Sequence, residues 1–130
     1  METTGEVYEF NDFQLKWLEA LESGKYLQGK QKLKCDIVGQ YEYCCLGVGC
    51  DLLGLPEKTL ECGTVIFEPE TEYASNLAPR KLVNSLRLKD RTGSIDSKEN
   101  SLVKMNDGLD LSFKDIAKFC RENPEKVFVE

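Results

Sequence analysis

The chain has 130 residues, 41% hydrophobic and 31% charged, with a formal net charge of -6, six cysteines and no histidine. Such a length fits one domain that buries roughly two thirds of its unfolded surface, and the apolar-to-charged balance is that of a folded protein. Net negative charge excludes general nucleic-acid binding, which needs a basic footprint, and the absence of histidine excludes Ser-His-Asp and Cys-His catalysis.

The longest nearly apolar run, Cys44 to Leu53, is about half the length of a membrane span and is interrupted by Asp51. The opening "METTGEVYEF" has neither a basic region nor an apolar one, so no export signal is expected. A reducing compartment with free thiols follows as the expectation for the cysteines.

In chain order, residues 1–10 fit either a flexible arm or an edge strand. A helix is expected from about Asp12 to Ser23: Asn11 and Gln14 form a capping-box pattern, and Gly24 stands where a left-handed residue ends a helix. Phe13, Trp17, Leu18 and Leu21 give it one apolar face. "QKLKC" and "QYEYC" then alternate with period two around "DIVG", which reads as a hairpin with the lysines together on its outer face. "CCLGVGCDLL" reads as a central buried helix closed by Gly54 and Pro56. Gly47 and Gly49 inside it each cost about 1 kcal/mol of helix propensity relative to Ala, so close approach of a neighbouring backbone is expected there.

Further on, "GTVIFEP" is expected as a strand, "ETEYASN" as a loop, and a short helix begins near Pro79 with Leu82, Val83 and Leu86 inside. "KDRTGSIDSKEN" reads as a surface loop or hairpin and "SLVKMND" as a brief strand. Ser112 and Asp115 open a last helix, with Phe113, Ile116, Ala117 and Cys120 on its apolar face and Pro124 after its end. The sum is an α+β fold, about three helices packed on a small mainly antiparallel sheet, in a single domain over 1–130. Its expected core holds Phe13, Trp17, Leu21, Leu33, Cys45, Leu46, Val48, Leu52, Leu82, Leu86, Phe113, Ile116 and Cys120.

Chemistry is sparse. Structural zinc needs C-x2-4-C pairs or Cys with His, and Cys44, Cys45 and Cys50 have the wrong spacing, so no metal is expected and packing explains them better. A cysteine nucleophile at the start of the central helix would need activation by the helix end or a lysine. The carboxylates of Asp107 and Asp110, and of "EPETE", read as solvated surface. "SGKYLQGKQKLK" lacks the P-loop spacing. No cofactor and no catalytic constellation is expected.

What remains is anion recognition. Lys25, Lys30, Lys32 and Lys34 lie in a stretch with no acid, and Arg80, Lys81, Arg87, Lys89 and Arg91 share theirs with Asp90 alone. With Tyr26, Gln28, Tyr41 and Tyr43 beside the lysines, and Arg80, Arg87 and Arg91 brought to them by the fold, a pocket for a phosphate-bearing nucleotide would result. The plain alternative is two solvated basic faces that balance acidic ones.

The segments "KWLEALESGKYLQGKQKL", "YEYCCLGVGCDLLG", "LAPRKLVNSLRL" and "MNDGLDLSFKDIAKFC" together resemble a family of small uncharacterised proteins encoded by tailed bacteriophages. That family has a Trp helix, a G-x-Y-x-Q-G-x-x-x-L stretch, a "YCCLGVLCD"-like segment and a closing "LND-G-SF-IA" helix. The resemblance covers roughly residues 16–54 and 79–120, with Gly49 and Met105 departing from the larger apolar residue and the leucine of the pattern. It implies a viral origin and a host-cytoplasm setting, and no reaction. The expectation drawn from it is a non-enzymatic anti-defence factor that sequesters a nucleotide-type signal. The alternative is a protein-binding inhibitor of a host or defence enzyme, acting through its acidic surface and imitating nucleic acid. A homo-oligomer is compatible with either.

Overall fold

The computed structural model describes residues 8–67, 77–95, 100–109 and 111–129. Among them the order is α1 (Asp12–Ser23), β1 (Lys34–Ile37), β2 (Gln40–Tyr43), α2 (Cys45–Leu53), β3 (Glu57–Thr59), β4 (Thr64–Phe67), α3 (Arg80–Leu86), α4 (Leu102–Asp107), α5 (Phe113–Glu122) and α6 (Pro124–Val127). The four strands form one antiparallel sheet in the order β2-β1-β4-β3. The fold is α+β, as the sequence pattern predicts. Three of the helices, α1, α2 and α5, have nine residues or more, and the other three are shorter.

Helix α1 begins with the expected capping box: the Asn11 side chain accepts from the Gln14 amide at 2.6 Å, and the Asn11 amide donates to Gln14 Oε1 at 2.8 Å. Gly24 ends it with φ +79°. Gln14 does more than cap. It is fully buried, and its Nε2 donates to the Leu86 carbonyl at 2.8 Å, which ties the start of α1 to the end of α3. Trp17, Leu18 and Leu21 are buried, and Trp17 Nε1 donates to the Cys45 carbonyl at 2.8 Å. Instead of an edge strand, residues 8–10 bring Tyr8 and Phe10 against Phe128. Residues 1–7 lie outside the described residues.

The hairpin differs from its expected form. Asp36 and Ile37 belong to β1, and the turn is only Val38 and Gly39, both with positive φ (50° and 80°). A two-residue turn of this kind matches the right-handed twist of its strands. It sets Lys34 opposite Tyr43 and Asp36 opposite Tyr41. Gln31 to Leu33 fall outside the strand, Gln31 with φ +71°, while the Leu33 carbonyl accepts from the Cys44 amide at 3.1 Å, one step beyond the Lys34–Tyr43 pair.

Helix α2 is the buried centre that its composition predicts, capped by the Cys44 side chain at Gly47 and closed by Gly54 with φ +68°. A Cβ on Gly47 would lie 1.7 Å from the Leu33 carbonyl oxygen, and one on Gly49 would lie 2.6 Å from Leu82 Cδ1. Two residues turn a helix by about 200°, so the Leu33 segment and α3 pack on opposite sides of α2.

"SLVKMND" is not a strand. Ser101 Oγ accepts from the Lys104 amide at 3.0 Å, and Leu102, Met105 and Asn106 fall at i, i+3 and i+4 on the buried face of α4. Pro124, rather than merely following α5, opens α6, where its missing N–H costs nothing. Strand β3 has no counterpart in the expected elements: its three residues are all exposed and carry no alternation. Of the expected core, Phe13 and Leu52 are partly buried and the rest are buried. The "ETEYASN" loop lies outside the described residues.

Candidate functional site

Lys34 occupies the centre of the face that sequence patterning assigns to anion binding, yet it points inward. It is 5% exposed, its Nζ pairs with Glu57 Oε1 at 2.8 Å, and it sits 4.2 Å from the Tyr41 ring centroid and 5.3 Å from that of Tyr43. Burial alone would push its pKa down; the Glu57 hydrogen bond and the field of its neighbours more than offset that, so the ammonium is held charged. A phosphate would have to displace Glu57 to reach it.

The tyrosines are similarly engaged. Tyr26 Oη donates to Asp51 Oδ2 at 2.5 Å, and its ring meets that of Tyr43 edge-on at 4.9 Å. Burial, with the Asp51 hydrogen bond and charge, raises the Tyr26 phenol well above its ordinary range. The two rings and the carboxylate fasten the segment after α1 to the last turn of α2.

Gln28 is consumed by structure. Its Nε2 donates to Asn106 Oδ1 at 2.9 Å and to the Leu111 carbonyl at 2.7 Å, while its Oε1 accepts from the Phe113 amide at 3.1 Å. Asn106, fully buried, also accepts from the Cys45 amide at 3.2 Å and donates to the Gly29 carbonyl at 2.8 Å. Gly29 itself lies against β2, where its amide donates to the Tyr43 carbonyl at 2.7 Å and a Cβ would meet Glu42 Cβ at 2.8 Å.

The basic groups do not assemble as expected. Lys32 Nζ donates to Thr64 Oγ1, and Lys25 and Lys30 are exposed. Arg80 and Arg87 are exposed at the two ends of α3, where Arg87 takes a left-handed C-cap with φ 62°, and Arg91 Nε donates to the Ala78 carbonyl at 2.9 Å. Because the lysine segment and α3 pack on opposite sides of α2, the two basic sets do not converge on one pocket. Arg80 and Arg87, at the ends of α3, thus lie across α2 from the lysine segment, and Arg91 stays beside the start of α3 through Ala78. Lys34, buried, and Gln28, half-buried, both have their polar groups engaged within the fold.

One surface was not anticipated. The β1–β2 turn and the β3–β4 turn lie at the same end of the sheet, joined by the Asp36 amide donating to the Gly63 carbonyl at 2.7 Å. That end carries Val38 at 100% exposure, Ile37 at 45% and Leu60 at 37%, while Tyr41 lies on the opposite face beside Lys34. Asp36 and Glu61 lie among them. The signal in the sequence was "DIVG", a turn whose residues are apolar where Asn or Asp is usual. Val38 also holds φ +50°, which a β-branched residue rarely adopts.

The cysteines of α2 behave as small hydrophobes. Cys44, Cys45 and Cys50 are buried and unpaired as disulfides, and burial pushes the Cys44 thiol up to about 12. Among the described residues no group of three or more His, Cys, Asp or Glu could hold a metal, and no helix is long and apolar enough to cross a membrane. Asp107 takes part in packing, accepting from Asn106 Nδ2 at 2.9 Å, while Asp110 and "EPETE" lie outside the described residues.

No curated protein and no solved structure matches the chain. Residues 11–124, which span α1 through α5, match the family model described as domain of unknown function DUF8296. By that match over most of its length, the chain belongs to the DUF8296 family.

Proposed function

We propose that the chain is a small bacteriophage accessory protein that acts in the host cytoplasm by binding rather than turnover, as an inhibitor of a host or defence enzyme. The viral setting rests on the set of motifs described above. The protein-binding reading rests on one observation: Ile37, Val38 and Leu60 are exposed together at the loop end of the sheet, on a chain of net charge -6. Exposed apolar side chains gathered in one patch mark interaction surfaces more often than chance exposure does. Val38 sharpens the point, since a β-branched residue in a left-handed turn position is strained and, when fully exposed, is not repaid by burial. The acidic surroundings suit a partner with an apolar patch rimmed by basic groups.

Sequestration of a nucleotide receives less support, because Lys32, Lys34, Gln28 and Arg91 already have partners within the fold.

The test compares the wild type with Val38→Asn, which puts the favoured Asn-Gly pair in the turn and should raise stability by about 0.5–1 kcal/mol. The wild type should retain a specific host or defence enzyme and inhibit it, and the more stable variant should lose both properties. A nucleotide that raises Tm, with inhibition unchanged in Val38→Asn, would instead support sequestration and overturn the inhibitor reading.

A further inference from the structure

Six thiols divide sharply by access. Cys44, Cys45, Cys50 and Cys120 are buried, whereas Cys62 is exposed and Cys35 is half-buried. The two accessible thiols are also neighbours. Cys35 on β1 is the direct cross-strand partner of Thr64 on β4, and the Asp36 amide to Gly63 carbonyl bond extends that ladder by one step. Cys62 Sγ lies 3.3 Å from Thr64 Oγ1, so it turns back toward the residue that faces Cys35. Gly63, between them, leaves the gap open: a side chain there would stand 3.8 Å from Cys35 Sγ.

We propose that Cys62 and Cys35 form an accessible thiol pair that a small-molecule disulfide converts into an intrachain disulfide, linking β1 to the turn between β3 and β4. Residues diagonal across an antiparallel pair have Cα atoms about 7–8 Å apart, and a disulfide needs somewhat less than about 7 Å. Cys62 belongs to an exposed turn and can supply the difference by a small shift.

The surroundings assign the order of events. Lys32 Nζ donates to Thr64 Oγ1, which leaves the Thr64 hydroxyl hydrogen to point at Cys62 Sγ when that sulfur is ionised. The Thr64 hydroxyl, ahead of the other influences, holds the Cys62 thiol below its ordinary value. Cys62 thiolate attacks one sulfur of the reagent RSSR; the new bond is Cys62–S–S–R, and RS⁻ leaves. Cys35, having lost its proton to solvent, then attacks Cys62 Sγ, and the second RS⁻ leaves. Two protein thiols are oxidised and one disulfide is reduced to two thiols.

The experiment treats the reduced full-length protein with oxidised glutathione at neutral pH and maps the peptides by mass spectrometry. The wild type should lose two hydrogens and yield a Cys35–Cys62 linked peptide, while the four buried thiols stay free until denaturation. Cys35→Ser should stop at a glutathione adduct on Cys62. Cys62→Ser should slow modification at Cys35 about tenfold, and Thr64→Val should slow attack by Cys62 several-fold. A glutathione adduct that persists on wild-type Cys62, a link joining two chains or other cysteines, or equal rates in wild type and Cys62→Ser would each overturn the proposal.

Discussion

Gln28 Nε2 donates to Asn106 Oδ1 across 2.9 Å, joining residues 78 positions apart, and nearly every polar atom of the two amides is engaged. Around this pair converge the start of α2 through the Cys45 amide, the Gly29 backbone, α4 itself and the start of α5 through the Phe113 amide. The same bonds explain why "G-x-Y-x-Q-G" and "ND" occur together in one chain: Gln28 and Asn106 hold each other, as Tyr26 and Asp51 do.

Gln28→Ala should therefore destabilise the fold by about 2–4 kcal/mol, since it strands the Phe113 amide and the Leu111 carbonyl in a partly buried place. Asn106→Ala should cost a similar amount. Chemical denaturation of the double variant should show a loss at least about 1 kcal/mol smaller than the sum. Strict additivity would mean that the two amides stabilise separate parts of the fold.

Gly47 and Gly49 sit in the same helix but face different neighbours, and alanine should tell them apart. At Gly47 the new methyl meets backbone, the Leu33 carbonyl, which cannot step aside; Gly47→Ala should cost on the order of 3 kcal/mol or more, or abolish folding. At Gly49 it meets the tip of Leu82, which can rotate, and the gain of about 1 kcal/mol in helix propensity offsets much of the strain. Thermal melts of the two variants should differ widely, with Gly49→Ala the milder.

The Lys34–Glu57 pair provides a test of whether Lys34 serves binding or structure. Glu57→Gln leaves a nearly buried ammonium short of its counter-charge and should cost about 1–3 kcal/mol, somewhat reduced because Glu57 is 32% exposed. Lys34→Met removes the charge along with the need to solvate it and should be within about 1 kcal/mol of wild type, measured by urea denaturation.

Alkali should destabilise the protein. The Cys44 and Cys120 thiols are pushed up to about 12 by burial, against an ordinary value of 9.0 in the unfolded chain. Between those limits the unfolded state has lost its thiol protons and the folded state keeps them, so stability is complete below about pH 9 and falls as pH rises. Each thiol adds a slope of roughly 1.4 kcal/mol per pH unit. Cys45, raised well above its ordinary value, and Lys34, raised by its Glu57 hydrogen bond, act in the same direction. Urea midpoints measured from pH 8 to pH 11 should decline; a flat profile would mean that these thiols ionise freely in the folded state.

The sequence by itself determined the local structure wherever the signal was local. The capping boxes at Asn11 and Ser112, the left-handed ends at Gly24 and Gly54, the apolar periods of α1 and α5 and the nearly all-round apolar run of α2 were legible, because each depends on residues within a turn or two of one another. Hairpin register was legible only in part, since "DIVG" lacks the usual turn residues and its first two residues belong to β1. The candidate site was the least legible. Lys34 alternates as an outward residue would, and only the arrival of β3 beside β4, with Glu57 on it, decided that it is buried and paired. That Arg80 and the lysines stand on opposite sides of α2 was decided by two glycines, each opening one face of a helix to a distant part of the chain. Charge in a sequence has no direction until packing gives it one, because burial and partners come from segments far away along the chain.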